Sequence, residues 1–383
     1  MQIARSLKEN KETILSDNAR DVQAAKKNKV KASLIDRLAL NPKRIDGMIT
    51  ACENVAGLND PVGEVIKSWV QNGLRISQIR VPIGAIGMVY ESRPNVTLDA
   101  TILALKTGNP VLLRGGSDAI YSNLSITRAI KEGLSQSGLP ETAVEIIEDT
   151  DRENVREMLT ANQYLSLIIP RGGAGLIKFV VENSTVPVIE TGVGNCHIFV
   201  DKDANIAKSV AIIKNAKTQR PGTCNSVETL LVHEKIAPAL LPSLKSVLKE
   251  SNVEIRGCGK TSAIIDVKKA EEDDWREEFL DYILAVKVVK STDEAIEHIQ
   301  QYSSGHSEAI LTENYFNAMR FTNALDSAAV YVNASTRYTD GEQFGFGGEI
   351  GISTQKLHAR GPVGLRELTS YKYIVLGHYH VRT

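Results

Sequence analysis

The chain has 383 residues, of which 42% are hydrophobic and 24% charged, with a formal net charge of −1. That length supports two or three compact units with a large core. Near-neutral charge leaves no global field to recruit nucleic acid or an anionic membrane, so any anionic ligand must be met by local Arg, Lys or backbone N–H groups.

The first ~70 residues read as charged amphipathic helices, with Ile14, Leu15, Val22, Leu34, Ile35 and Leu38 near helical spacing. Residues 76–91 read as extended, broken at Pro82, Gly84 and Gly87. A regular alternation follows. Helices are expected over 95–106, 119–134, 152–162 and 174–181, and short apolar strands over 111–113, 143–147, 165–169 and 186–189. Such alternation implies a parallel sheet covered on both faces. A second α/β series places strands at 198–200, 227–232, 283–289, 308–311 and 328–332. Its helices fall at 204–217, 236–248, 293–301 and 316–325. The tail from Gly341 is Gly-rich, then extended over 371–381. Two α/β domains with parallel-rich sheets and an extended arm are the simplest reading.

Cys52, Cys196, Cys224 and Cys258 lie far apart without a CxxC, which speaks against a zinc site or disulfide framework. No apolar core of signal-peptide length opens the chain, and no window approaches ~20 apolar residues. A reducing cytoplasm fits both observations, with no membrane, nucleic-acid or metal partner.

The segment Arg220-Pro221-Gly222-Thr223-Cys224-Asn225 carries the chemistry. A thiol after a Pro-Gly turn, with Lys217 and Arg220 just upstream, suits an exposed nucleophile. At an ordinary pKa only roughly 3% would be thiolate at pH 7, and cations raise that fraction. A buried structural cysteine is the plainer alternative. Asn95, after Arg93-Pro94, reads as a helix N-cap or as an amide donor to an oxyanion, a donor worth about 3 kcal/mol in a transition state. Arg93 suits a carboxylate or phosphate. Two copies of strand, Arg-Gly-Gly, helix occur, at Arg114-Gly115-Gly116 and Arg171-Gly172-Gly173. Each is an ordinary βα turn or a place where a phosphate approaches backbone N–H groups. Gly259-Lys260-Thr261 lacks the first glycine of a P-loop. Cys196-His197 would point to opposite faces of a strand.

Longer stretches then identify a relative. They are Val81-Pro82-Ile83-Gly84 through Tyr90-Glu91-Ser92-Arg93-Pro94-Asn95-Val96-Thr97, Leu113-Arg114-Gly115-Gly116, and Ile169-Pro170-Arg171-Gly172-Gly173-Ala174-Gly175-Leu176. Cys196-His197-Ile198, residues 215–221, Thr223-Cys224-Asn225, 330–336 and 353–362 complete the set. Over nearly its whole length the chain resembles the gamma-glutamyl phosphate reductases (glutamate-5-semialdehyde dehydrogenases) of the aldehyde dehydrogenase superfamily.

The resemblance implies NADPH-dependent reduction of L-glutamyl 5-phosphate in proline biosynthesis, through a thioester on Cys224, with Asn95 in the oxyanion hole. It implies substrate contacts at Arg93, Arg220 and Lys217. It implies NADPH/NADP contacts at Arg114, Gly115, Gly116, Arg171, Gly172, Gly173, Glu190 and Asp281. Glu190 stands where oxidising relatives carry a hydrolytic base, so a phosphate-independent semialdehyde dehydrogenase is the alternative. The implied architecture is a cofactor-binding domain over 1–189, rejoined by 347–370, and a catalytic domain over 190–346. Arm strands at about 75–90 and 371–383 would support a homodimer or homotetramer, and glutamate 5-kinase is the implied functional partner. Against the family pattern the chain begins inside the first helical segment, and a missing helix would loosen the cofactor domain.

Overall fold

The computed structural model describes residues 1–30 and 32–382. The chain forms two compact units. One comprises Met1–Thr191, Gly345–Gly351 and Pro362–Thr383, and the other Gly192–Phe344 and Ile352–Gly361. The 347–370 stretch, expected to return whole to the first unit, is thus divided between the two.

The first unit holds a four-stranded parallel sheet in the order Val144–Ile146, Val111–Gly115, Ile86–Tyr90, Leu167–Arg171. Ile86–Tyr90 is buried at every position, as a central parallel strand covered on both faces requires. Helices Pro94–Lys106, Ile120–Ser135 and Arg152–Leu159 make the crossovers, and Ala174–Asn183 follows the last strand. The strand order reverses beside Ile86–Tyr90, because the chain adds two strands on one side before crossing to the other. The ends of Ile86–Tyr90 and Leu167–Arg171 therefore flank the switch point, where open α/β sheets take ligands. The strand expected over 186–189 is reduced to one bridge, Val188 with Ile168.

The N-terminal helices are Gln2–Glu9, Lys11–Lys27, Ala32–Leu38 and Pro42–Gly57. Helical structure then stops earlier than the first ~70 residues suggested. Val65–Gln71 is a strand, paired antiparallel with Leu74–Pro82, which pairs in turn with Thr369–Leu376. Asn72 and Gly73, at φ 50° and 78°, make the two-residue hairpin turn that this dipeptide favours. The expected arm at 75–90 is therefore two things: Leu74–Pro82 belongs to the arm, and Ile86–Tyr90 is core. Thr383, the end of the expected arm, lies outside the described residues.

The second unit is built on a seven-stranded parallel sheet. Its order is Lys268–Lys269, Glu254–Gly257, Ile283–Val289, Val227–His233, Cys196–Val200, Ser307–Leu311, Ala329–Val332. Two of these strands, Glu254–Gly257 and Lys268–Lys269, fall in a charged stretch without strand periodicity. Ile198, Val200, Leu230 and Val286 pack with helices Ile206–Thr218 and Ala237–Lys249 on one face. Phe199, Leu231 and Ile310 pack with Ile299 and Phe321 on the other. The alternation along each strand divides the two cores. Among the described residues no helix is long and apolar enough to cross a membrane.

Candidate active site

Cys224 lies on the connection between helix Ile206–Thr218 and the fully buried strand Val227–His233. It is partly buried and takes part in no disulfide. The connection is fixed at several points. Thr223 Oγ1 lies 2.8 Å from the Arg220 carbonyl and 2.9 Å from Asn225 Oδ1. Ser226 N–H donates to the Thr223 carbonyl at 3.0 Å. Arg337 reaches over the turn, donating from Nη1 to Thr223 Oγ1 (2.8 Å) and from Nε to Gln219 Oε1 (3.0 Å). Thr336 Oγ1 donates to the Asn225 carbonyl at 2.7 Å, and Asn225 Nδ2 to the Thr339 carbonyl at 3.0 Å. A turn held this way loses little entropy when it reacts.

Under the turn lies the segment from Gly192 to Cys196. Cys196 Sγ donates to the Cys224 carbonyl at 3.1 Å. A Cβ on Gly194 would fall 1.6 Å from that same carbonyl oxygen, so the nucleophile's backbone rests on a position that admits no side chain. Burial pushes the Cys196 thiol well above its ordinary range, with the Glu308 charge acting the same way. Cys196 is therefore a neutral support for Cys224, a pairing across 28 residues that local sequence gives no sign of. Desolvation lowers the Arg337 pKa, as does the neighbouring Arg220 charge, while Cys224 acts to raise it. The turn thus sits among two guanidinium groups, the surroundings that favour a thiolate.

Lys217 does not fit a substrate contact. The last turn of its helix points inward, the side chain is fully buried, and Nζ meets Glu228 Oε2 at 2.5 Å. Burial lowers the Lys217 pKa and raises that of Glu228 to about 8, each toward neutrality. Arg220 is exposed at the turn. Arg360 is held by Asp326, to which its Nη1 donates at 2.6 Å. Asp281 is exposed and accepts from the Tyr282 N–H at 2.7 Å. It belongs to the second unit, whereas the other expected cofactor residues belong to the first.

In the first unit, Asn95 is not the N-cap. Arg93 holds that place, Pro94 is the first helical residue, and Asn95 the second. Asn95 Nδ2 donates to Asp99 Oδ2 at 2.7 Å, one turn on. Both line a polar pocket of about 150 Å³ with Arg93, Arg171 and Glu349. Arg93 and Arg171, separated by 78 positions, are thus brought to one site because strands Ile86–Tyr90 and Leu167–Arg171 are neighbours.

A larger crevice, of about 540 Å³, opens beyond the same strand ends. Glu91, Ser92, Arg114, Gly116, Ser117, Asp118, Thr150, Arg152, Arg156 and Gly175 are among its walls. The two Arg-Gly-Gly turns at these strand ends differ: Arg114 and Gly116 line the crevice, whereas Arg171 lines the smaller pocket. Arg114 is 8% exposed and donates to the carbonyls of Gly115 (2.8 Å) and Thr150 (2.7 Å). A Cβ on Gly115 would strike Asn123 Nδ2 at 2.1 Å, and one on Gly116 Asp118 Oδ1 at 2.3 Å. In the second turn Gly172 abuts Glu91 Oε2, and Gly173 faces open space. The Glu91 carboxylate accepts from the Gly173 N–H at 3.2 Å, at the positive end of helix Ala174–Asn183. Glu190 is half-buried, next to Thr191, whose Oγ1 donates to the Pro170 carbonyl at 2.8 Å.

A dinucleotide fits this crevice in three respects. It stands at a topological switch point, it has an open glycine at a helix start, and the buried Nε of Arg114 has no hydrogen-bond partner among the described residues. Among the described residues no group of three His, Cys, Asp or Glu side chains is placed to hold a metal ion.

Comparison with known proteins agrees. The model of the aldehyde dehydrogenase family matches residues 37–272 and 256–374. Gamma-glutamyl phosphate reductases of Kosmotoga olearia and Thermotoga maritima are 66% and 64% identical over 383 residues, covering 100% of this chain and 92% of each relative. The crystal structure of the Thermotoga maritima protein matches with a TM-score of 0.96, covering 100% of this chain and 93% of that one. An acetylating aldehyde dehydrogenase from Geobacillus thermoglucosidasius, 19% identical, shares the fold at a TM-score of 0.74, covering 100% of this chain and 92% of its own. The fold class and family expected from the motifs hold. The chain belongs to the aldehyde dehydrogenase family and, within it, to the gamma-glutamyl phosphate reductases.

Proposed function

We propose that this chain reduces L-glutamyl 5-phosphate to L-glutamate 5-semialdehyde and phosphate, with NADPH, in proline biosynthesis. Its full-length identity to named gamma-glutamyl phosphate reductases carries the reading, and the fixed turn bearing Cys224 supplies a nucleophile for it. The Cys224 thiolate attacks the acyl carbon, and the bond to the phosphate oxygen breaks, phosphate leaving with the electron pair. The product is a thioester on Cys224. Bound NADPH supplies the hydride that reduces it. The resulting thiohemiacetal then collapses, the C–S bond breaking to release the aldehyde and restore the thiol. Asn95 donates to the oxyanion, its amide oriented by Asp99. Arg93 and the exposed Arg220 take the anionic groups of the substrate. Arg171, which shares the 150 Å³ pocket with Arg93, joins them.

The crevice beyond the strand ends holds the cofactor, with the uncrowded Gly173 and Gly175 at the start of helix Ala174–Asn183 giving backbone access. Glu190 serves as a structural carboxylate, because a hydrolytic base would discard the activated acyl group, and the relatives favour the phosphate route over that alternative. The arm sheet carries exposed Val65, Val70, Tyr371, Tyr373, Val375 and Leu376, an apolar surface suited to a homo-oligomer contact. Glutamate 5-kinase in the cytoplasm supplies the labile acyl phosphate.

The test is the reverse reaction. Semialdehyde and NADP⁺ should yield NADPH only when inorganic phosphate is present, and Cys224→Ala should abolish turnover while retaining nucleotide binding. Equal rates with and without phosphate would establish hydrolytic chemistry instead.

A further inference from the structure

We infer that Arg152, with the unpartnered Nε of Arg114, forms the site that reads the 2′-phosphate of the cofactor and so selects NADP over NAD. The inference rests on the cofactor crevice proposed above. In dinucleotide folds an acidic residue past the second strand binds the ribose 2′-hydroxyl, whereas an arginine accommodates a 2′-phosphate. Here the acidic residue past the second strand, Val111–Gly115, is Asp118, which already accepts from Ser92 Oγ, and the same crevice wall carries the cations Arg114, Arg152 and Arg156.

Arg152 is placed against its own electrostatics. It is the first residue of helix Arg152–Leu159, where the helix dipole disfavours a cation. It also sits close enough to the buried Arg114 guanidinium to lower that group's pKa, after burial itself. Among the described residues Arg152 makes no hydrogen bond or ion pair, and it is exposed on the crevice wall. Arg156, by contrast, is paired with Glu153 at 3.2 Å. Arg114 is locked to backbone carbonyls through both amino groups, which leaves its Nε–H as a buried donor with nothing to receive it. An unpaired cation beside an orphaned donor is unfavourable until an anion arrives. A phosphate dianion would offset the dipole, the like-charge contact and the orphaned donor together.

The nearby carboxylates are already committed. Asp118 accepts from Ser92 Oγ. Asp149 accepts from the Asp151 N–H at 2.9 Å, and Asp151 caps the helix through the Glu153 N–H at 3.0 Å. They limit nonspecific anion capture without filling the position that Arg152 faces.

The experiment is a direct titration of the full-length chain with NADPH and NADH, followed by nicotinamide fluorescence. Adenosine 2′,5′-bisphosphate and 5′-AMP serve as competitors. Arg152→Ala should weaken NADPH and the bisphosphate by about 10- to 100-fold, the range for one charged hydrogen-bonded contact, and leave NADH and 5′-AMP within about 2-fold. Arg152→Lys should restore part of the loss. Circular dichroism melting should show no loss of stability, since the side chain is exposed and a cation at that helix start is unfavourable. Equal weakening of NADPH and NADH, or an unchanged NADPH affinity in Arg152→Ala, would overturn the inference while leaving the reductase reading intact. A parent chain that binds neither nucleotide would remove the reductase reading itself.

Discussion

The two Arg-Gly-Gly turns share a tripeptide, a sheet and a place at the end of a parallel strand, yet they do different work. In the first, protein fills every direction in which a glycine might have been replaced. Asn123 closes over Gly115, Asp118 over Gly116, and the arginine is buried against carbonyls. In the second, Arg171 lines a pocket and Gly173 faces open space. The lesson is that a glycine after a strand has two distinct causes, internal crowding and external access. The sequence motif is the same for both, and only long-range neighbours separate them.

The sharpest way to break this contrast is Gly115→Ala. Overpacking against the buried Asn123 should cost about 1–3 kcal/mol, read as a lower urea midpoint with an unchanged slope. Loss of nucleotide binding should follow only from unfolding. Arg114→Met comes next. It removes a buried cation and strands the carbonyls of Gly115 and Thr150, an expected loss of about 1–3 kcal/mol, and it should also weaken NADPH more than NADH. Gly173→Ala should change stability by only about 0.5–1 kcal/mol, the scale of a helix-cap exchange. Its effect should appear instead as weaker nucleotide binding at full folding. If Gly173→Ala destabilises as much as Gly115→Ala, the distinction between the turns collapses.

The smallest effect concerns the brace behind the first turn. Asp21 accepts from the N–H of Ser122 (2.8 Å) and from its hydroxyl (2.5 Å), at the start of helix Ile120–Ser135. Burial raises the Asp21 pKa, although hydrogen bonds from Ser122 and Tyr121 oppose the rise. A carboxyl with a raised folded pKa favours the fold below its unfolded value, and that contribution fades as pH rises through the folded one. Asp21→Asn should therefore gain relative stability as pH increases from 4 to 8. A difference from the parent chain that stays flat across that range would show that the hydrogen bonds dominate.

Much of this fold was legible because buried parallel strands advertise themselves as short apolar runs between helices. The strand Val65–Gln71 was not, since every residue of it is exposed and its pattern follows no core. Its one clear signal was Asn72-Gly73. Cys224 could be found locally because a nucleophile on a turn needs particular neighbours in sequence. Its supports could not. Gly194, Cys196 and Arg337 arrive from other strands and loops, and no periodicity links them to position 224. Lys217 misled for a related reason. A cation near a nucleophile in sequence suggests a ligand contact, but the last helical turn faced inward to Glu228. Asn95 misled by one position, because Pro94 takes the first place in the helix and shifts the cap to Arg93.

The antiparallel arm has a consequence for the order in which the molecule can be completed during synthesis. Leu74–Pro82 leaves the ribosome long before its antiparallel partner Thr369–Leu376 is made. The same holds for Asn109 and its partner Leu368, whose carbonyl takes the Asn109 amide at 2.8 Å. The first-made unit is thus the last to close. The second unit, whose whole sheet lies within residues 196–332, can assemble while the edge of Leu74–Pro82 is still unpaired. During that interval the exposed edge is a template for another nascent chain, so slow translation just before Thr369–Leu376 should raise the yield of aggregate more than an equal delay before Leu74–Pro82 is made.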